Sequence, residues 1–121
     1  MRSARFGFRE EPILRTPWGI ADHVTVLDHG IRCVSTPSHG GYYVPPEARK
    51  LMPPEALNTY AGPGWYEEDC DWALVALSFP KLFPEDARAL AEIIVRKWHS
   101  PEVCKAYGLT PAADSHYRAR A

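Results

Sequence analysis

Gly64-Trp65-Tyr66-Glu67-Glu68-Asp69-Cys70-Asp71-Trp72-Ala73-Leu74-Val75-Ala76-Leu77-Ser78-Phe79 sets four carboxylates and a thiol directly against an apolar run, and the reading of this stretch decides the fold. From Trp72 to Phe79 the chain is apolar on nearly every side of a helical projection, the mark of a buried helix rather than a surface one. Glu67, Glu68 and Asp69 then fall where a first helical turn would begin, and unpaired N–H groups and the macrodipole favour negative charge there. The spacing predicts a buried central helix over about 66–79, ended by Pro80.

Downstream, Pro84 with Glu85 and Asp86 opens a second long helix over about 84–99. Ala87, Leu90, Ala91, Ile94 and Trp98 recur along its inner face, and Arg88, Glu92, Arg96 and Lys97 largely face water. Ser100-Pro101-Glu102 starts a short helix through Tyr107, which Gly108 stops. Upstream, Pro46 to Met52 makes about two helical turns, and Pro54 to Tyr60 makes another short helix before Gly62-Pro63-Gly64. Earlier still the pattern is β-like. Val24 and Val26 alternate with polar neighbours, His29-Gly30 marks a turn, and Ile31, Cys33 and Ser35 face opposite to Arg32, Val34 and Thr36. Pro37 to Gly41 reads as a loop and Tyr42-Tyr43-Val44 as a third strand, terminated by Pro45 and Pro46. The expectation is an α+β fold: a three-stranded antiparallel meander over about 20–44, packed against a helical half.

A chain of 121 residues suits one compact domain, placed at 16–117 between a flexible basic arm at 1–15 and a tail at 118–121. Arg2, Arg5, Arg9 and Arg15 give the arm its charge, and exposed termini explain it better than phosphate binding does. The net charge of −1 argues against a surface built wholly for nucleic acid, so direct nucleic-acid binding is not expected. Cys33, Cys70 and Cys104 form no CxxC pair, which speaks against a disulfide framework or zinc knuckle and for a reduced, cytoplasmic setting in a bacterial cell. No run nears the roughly 20 apolar residues of a membrane span, and the N-terminus lacks a secretory h-region.

Two segments carry candidate chemistry. Ser38-His39-Gly40-Gly41 offers a hydroxyl, an imidazole and two glycines that admit close backbone approach, and it reads either as a binding loop or as a plain turn before the third strand. Glu67, Glu68, Asp69 and Asp71 suit a hard cation, or Glu68 suits a general base beside His39; the alternative is charge at a helix start. On a helix Glu68 and Asp71 share a face while Glu67 and Asp69 point elsewhere. Cys70 with His39 resembles a cysteine-hydrolase pair, but the neighbouring carboxylates suppress thiolate, so Cys70 reads as structural. Ser38 lacks a nucleophile-elbow context. Tyr42, Tyr43, Trp65 and Tyr66 flank both segments and read either as core or as a contact surface.

Taken together, Thr16-Pro17-Trp18-Gly19, Val34-Ser35-Thr36-Pro37-Ser38-His39-Gly40-Gly41, Met52-Pro53, Trp65-Tyr66-Glu67-Glu68-Asp69-Cys70-Asp71-Trp72-Ala73 and Trp98-His99 resemble a family of bacterial domains of unknown function found in phage, plasmid and integrative-element proteins. The resemblance spans most of residues 16–117. It implies a role in the conflict or transfer biology of mobile elements, exercised alone or through a partner, and assigns no catalytic residue.

The expected function is therefore a small binding protein that inhibits a bacterial defence system, of the anti-CRISPR or antirestriction type. Glu67, Glu68 and Asp69 would pair with a basic patch on a host defence complex, with Tyr42, Tyr43, Trp65 and Tyr66 as anchors and His39 beside them. No metal and no cofactor is expected. The alternative is a metal-assisted or acid–base hydrolase using His39, Glu68 and Asp71, with Ser38 orienting the substrate; a third reading is a nucleic-acid-binding accessory using its terminal arginines.

Overall fold

The alternating stretch at 23–35 forms the expected hairpin. In the computed structural model, which describes residues 9–10 and 14–117, β4 (His23–Val26) pairs antiparallel with β5 (Arg32–Ser35). His29 and Gly30 between them both take left-handed φ, 64° and 71°, which a glycine accepts freely and a histidine does not. β6 (Gly40–Tyr43) continues the meander.

The sheet is larger than the three strands expected. β1 (Arg9–Glu10) adds to β4 at one edge, and β7 (Trp65–Glu67) adds to β6 at the other, giving the antiparallel order β1-β4-β5-β6-β7. A separate two-stranded ribbon, β2 (Arg15–Thr16) with β3 (Gly19–Ile20), lies nearby. Arg9 and Glu10, assigned to the arm on sequence, thus belong to a strand, whereas 1–8, 11–13 and 118–121 lie outside the described residues.

Because side chains alternate, Val24, Val34, Gly41 and Glu67 form one row on the outer face of the sheet. Cys33, Tyr42 and Tyr66 form the next row on the inner face. Leu14, Trp18 and Ala21 cover the outer face beside Val24, Val34 and Trp65. Gly41 is required there: an added Cβ would strike the Tyr66 carbonyl and come within 2.6 Å of the Trp18 indole. The inner face meets the helices.

The central helix is shorter than expected. α2 spans Trp72–Ser78, because Trp65–Glu67 is taken up as an edge strand, where aromatic and β-branched residues fit a pleated, half-buried surface. Ala73, Leu74, Val75 and Ala76 are all buried, so the helix is the spine of the core as its composition implied. Tyr66 is 0 % exposed, and its hydroxyl donates to the Ala56 carbonyl at 2.8 Å. The segment between β6 and β7 carries α1 (Pro46–Arg49) and a 3₁₀ turn at Pro54–Ala56, each shorter than the helices expected there.

α3 (Glu85–Trp98) packs on α2. Its buried face is centred on Ala91 and Val95, rotated from the expected one; Leu90 is 49 % and Trp98 46 % exposed. Trp98 stacks on His116 at 4.4 Å, and the chain after α4 (Pro101–Ala106) returns along the end of α3 through Ala112 N–H to Arg96 O and His116 N–H to Lys97 O. Among the described residues no helix is long and apolar enough to cross a membrane.

Candidate functional site

The acidic segment is a turn, not a helix start. β7 ends at Glu67, and the Glu67 carboxylate folds back under the next residues. Its Oε2 accepts the Asp69 N–H at 2.7 Å, and its Oε1 accepts the Cys70 and Asp71 N–H groups at 2.7 and 3.1 Å. Three successive amides thus cup an anion supplied by the chain itself, the arrangement of a backbone nest. The Glu67 charge is thus engaged within the fold, while its half-buried side chain still lines a cleft beside Asp69.

Asp71 has a different partner. Its Oδ1 lies 3.6 Å from His99 Nε2, with the two side chains only 14 % and 13 % exposed. The Asp71 carboxyl is raised by burial; His99 and a hydrogen bond from the Tyr60 backbone pull it down, and Glu67 pushes it up. Of the alternative trio His39, Glu68 and Asp71, Asp71 thus has His99 as its histidine partner, although it also lines one cleft with His39. His99 stood out in the sequence only within the Trp98-His99 dipeptide, and 28 residues of separation hide such a contact from any local pattern.

His39 and Glu68 do meet. His39 Nδ1 lies 3.6 Å from Glu68 Oε2, both side chains about half exposed at 54 % and 50 %. The histidine is held by its loop: Thr36 Oγ1 donates to the His39 carbonyl at 2.8 Å and accepts the His39 N–H at 3.0 Å. Gly40 and Gly41 belong to β6 rather than to a ligand loop, and an added Cβ on Gly40 would meet the Val34 carbonyl at 2.9 Å. Close packing, not ligand approach, explains this glycine pair.

The His39–Glu68 pair stands between two shallow clefts. One, of about 420 Å³, is lined by Trp18, His39, Tyr60, Glu67, Asp69 and Asp71. The other, of about 310 Å³, lies on the inner sheet face among Ser35, Gly40, Tyr42, Glu68 and Trp72. Asp69 is exposed, and so is Ser38 beside His39. Tyr60, at 87 % exposure, is the largest open aromatic on the first cleft, and Trp18 forms its wall; neither was singled out as a site residue on sequence.

The four expected aromatic anchors divide. Tyr66 is core, which removes it from any contact surface. Tyr42 faces inward, with its ring 5.5 Å from Phe83, and burial and the neighbouring Cys33 push its hydroxyl pKa up. Tyr43 and Trp65 share the outer face at 4.7 Å, and Trp65 meets Trp18 edge-on at 5.8 Å. Half-buried Trp18, Trp65 and Tyr43 form an aromatic row running away from the acidic turn.

Cys70 also lines the first cleft. Burial first, then Glu67, Asp71 and Asp69, push its thiol up to about 11, the reverse of an activated nucleophile. Among the described residues no three His, Cys, Asp or Glu side chains are grouped to hold a metal ion.

Residues 11–121 match the family described as domain of unknown function DUF7007. The chain belongs to that family. Membership in a family of unknown function, expected from the joined motifs, is thereby met. No curated protein and no solved structure matches the chain. The reading of this DUF7007 domain accordingly stands on its own geometry.

Proposed function

We propose that this DUF7007 domain is a small binding protein that inhibits a bacterial defence system, of the anti-CRISPR or antirestriction type, by covering a protein surface that its target uses for nucleic acid. The observation that carries the reading is the exposed pair Glu68 and Asp69, set on a turn that the fold clamps from within and flanked by Trp18 and Tyr60. Fixed exposed carboxylates beside aromatic surface suit a basic, nucleic-acid-binding patch, because charge steers the encounter and aromatic residues supply the buried anchors. The resemblance to mobile-element proteins supplies the biological setting, in the bacterial cytoplasm.

Glu68→Lys/Asp69→Lys is the variant that tests this, since it spares the Glu67 clamp. Tagged wild-type protein in a lysate of defence-proficient bacteria should retain a subunit of a defence complex, and the folded double variant should lose it. Equal retention by the variant, or capture of no defence subunit, counts against the proposal.

The contact of His39 with Glu68 favours a second reading, an acid–base hydrolase that uses these two residues with Ser38 but without Asp71. His39→Ala and Glu68→Gln would each abolish turnover in a hydrolase substrate screen; a screen in which wild type turns over nothing ends this reading.

A further inference from the structure

His99 lies just beyond α3, where its own N–H still bonds Val95 O, and the next residue, Ser100, caps α4. From this corner its ring reaches the acidic turn. Nε2 stands 3.1 Å from the Cys70 carbonyl and 3.6 Å from Asp71 Oδ1. A carbonyl oxygen only accepts, so Nε2 carries the hydrogen and donates it to Cys70. The turn is thus gripped at both ends of the same peptides. Glu67 takes the N–H groups of Asp69, Cys70 and Asp71, and His99 takes the carbonyl of Cys70 from the opposite side.

We infer that His99 is the positioning residue of this turn: from the α3–α4 corner it fixes the orientation in which Asp69 and Asp71 face the aromatic cleft. The consequence for binding rests on the proposed function, but the positioning itself is a property of the free protein. Two features make His99 suited to the task. Its ring is nearly excluded from water, and besides the imidazole the Cys70 carbonyl accepts the Ala73 N–H at the longer distance of 3.4 Å, so loss of the His99 donor leaves a part-buried acceptor only weakly bonded, which is costly. Asp71 also borders both neighbours, pairing with His99 on one side and lining the cleft on the other, which links the corner of the helices to the cleft wall.

The test compares His99→Leu, which keeps bulk and removes the donor, with His99→Gln, whose side-chain amide places an N–H near the position of Nε2. Amide hydrogen exchange of the free protein is the readout. In His99→Leu, the Asp69, Cys70 and Asp71 amides should exchange about tenfold faster while those of Val34 and Tyr42 in the sheet keep their wild-type rates; His99→Gln should restore most of the protection. Unchanged exchange at the turn, or equal acceleration of turn and sheet, overturns the inference. So does a His99→Gln protein whose turn exchanges as fast as that of His99→Leu. None of these outcomes depends on a partner, so failure of the inhibitor reading and failure of this one are separable.

Discussion

Glu67→Ala removes the one carboxylate that three backbone amides share, and the expected loss can be worked from its contacts. The bonds run at 2.7 Å from Asp69, 2.7 Å from Cys70 and 3.1 Å from Asp71. A hydrogen bond to a charged group contributes about 1.5–3 kcal/mol. The three are not additive, since one side chain serves all of them and water can replace it at the exposed Asp69 end. The two partly buried amides dominate, which puts the loss at about 2–3 kcal/mol and the fall in Tm at roughly 10 °C. Glu67→Gln keeps an oxygen for Cys70 and Asp71 but turns its NH₂ toward the Asp69 N–H, so it should lose only about 1 kcal/mol. Glu68→Ala, next in sequence and with a half-exposed side chain that pairs with the exposed His39, should stay within about 0.5 kcal/mol of wild type. Urea unfolding followed by tryptophan fluorescence measures all three, with the midpoint moving and the slope unchanged. A Glu67→Ala protein as stable as Glu68→Ala would refute the clamp, and with it the reason for separating Glu67 from the acids proposed to face a partner.

Gly41→Ala should destabilise by about 2–3 kcal/mol in the same assay, because the new methyl meets the Trp18 indole and the Tyr66 carbonyl. Tyr66→Phe should lose about 1–2 kcal/mol, as the Ala56 carbonyl is left without its donor. A Cys70 thiol at about 11 against an ordinary 9.0 carries about 100-fold less thiolate near neutral pH, partly offset by the greater nucleophilicity of a more basic thiolate, so alkylation of Cys70 in the folded protein should be about tenfold or more slower than that of an unfolded control. Asp71 has a folded pKa raised above its ordinary 3.8, so its favourable share of stability is full below that value and is lost as pH rises through the folded one. Wild type should therefore lose stability relative to Asp71→Asn over that interval in urea titrations, and a difference flat with pH would contradict the burial of its charge.

The meander of β4, β5 and β6 was legible because two-residue alternation and the His29-Gly30 turn are local signals. So was the burial of Ala73 to Ala76, since an all-round apolar run has nowhere else to go. Trp65-Tyr66-Glu67 misled for a physical reason: acids before an apolar run satisfy a helix start and a strand-to-helix turn equally well, and only pairing with Gly41 to Tyr43 decides between them. The rotation of α3 followed from the same kind of ambiguity. Leu90 and Trp98 fit the helical period, yet Val95 and Ala91 match the small surface that the tightly packed α2 presents, and Trp98 is covered instead by His116 from the returning chain. Of the candidate site, residue chemistry offered His39 with Glu68 as one alternative, but no local pattern in the sequence decides whether the two meet. The role of His99 was not, because its contact with Cys70 and Asp71 depends on where α3 ends in space.

Inhibition itself tests the central claim most directly. Phage plating efficiency would be measured on strains carrying a CRISPR system and on strains carrying a restriction system, each expressing wild-type protein or the Glu68→Lys/Asp69→Lys variant. Wild type should raise plating on at least one strain class, and the folded variant should fail to do so. Plating unchanged by wild type in both classes, or raised equally by the variant, would contradict the account.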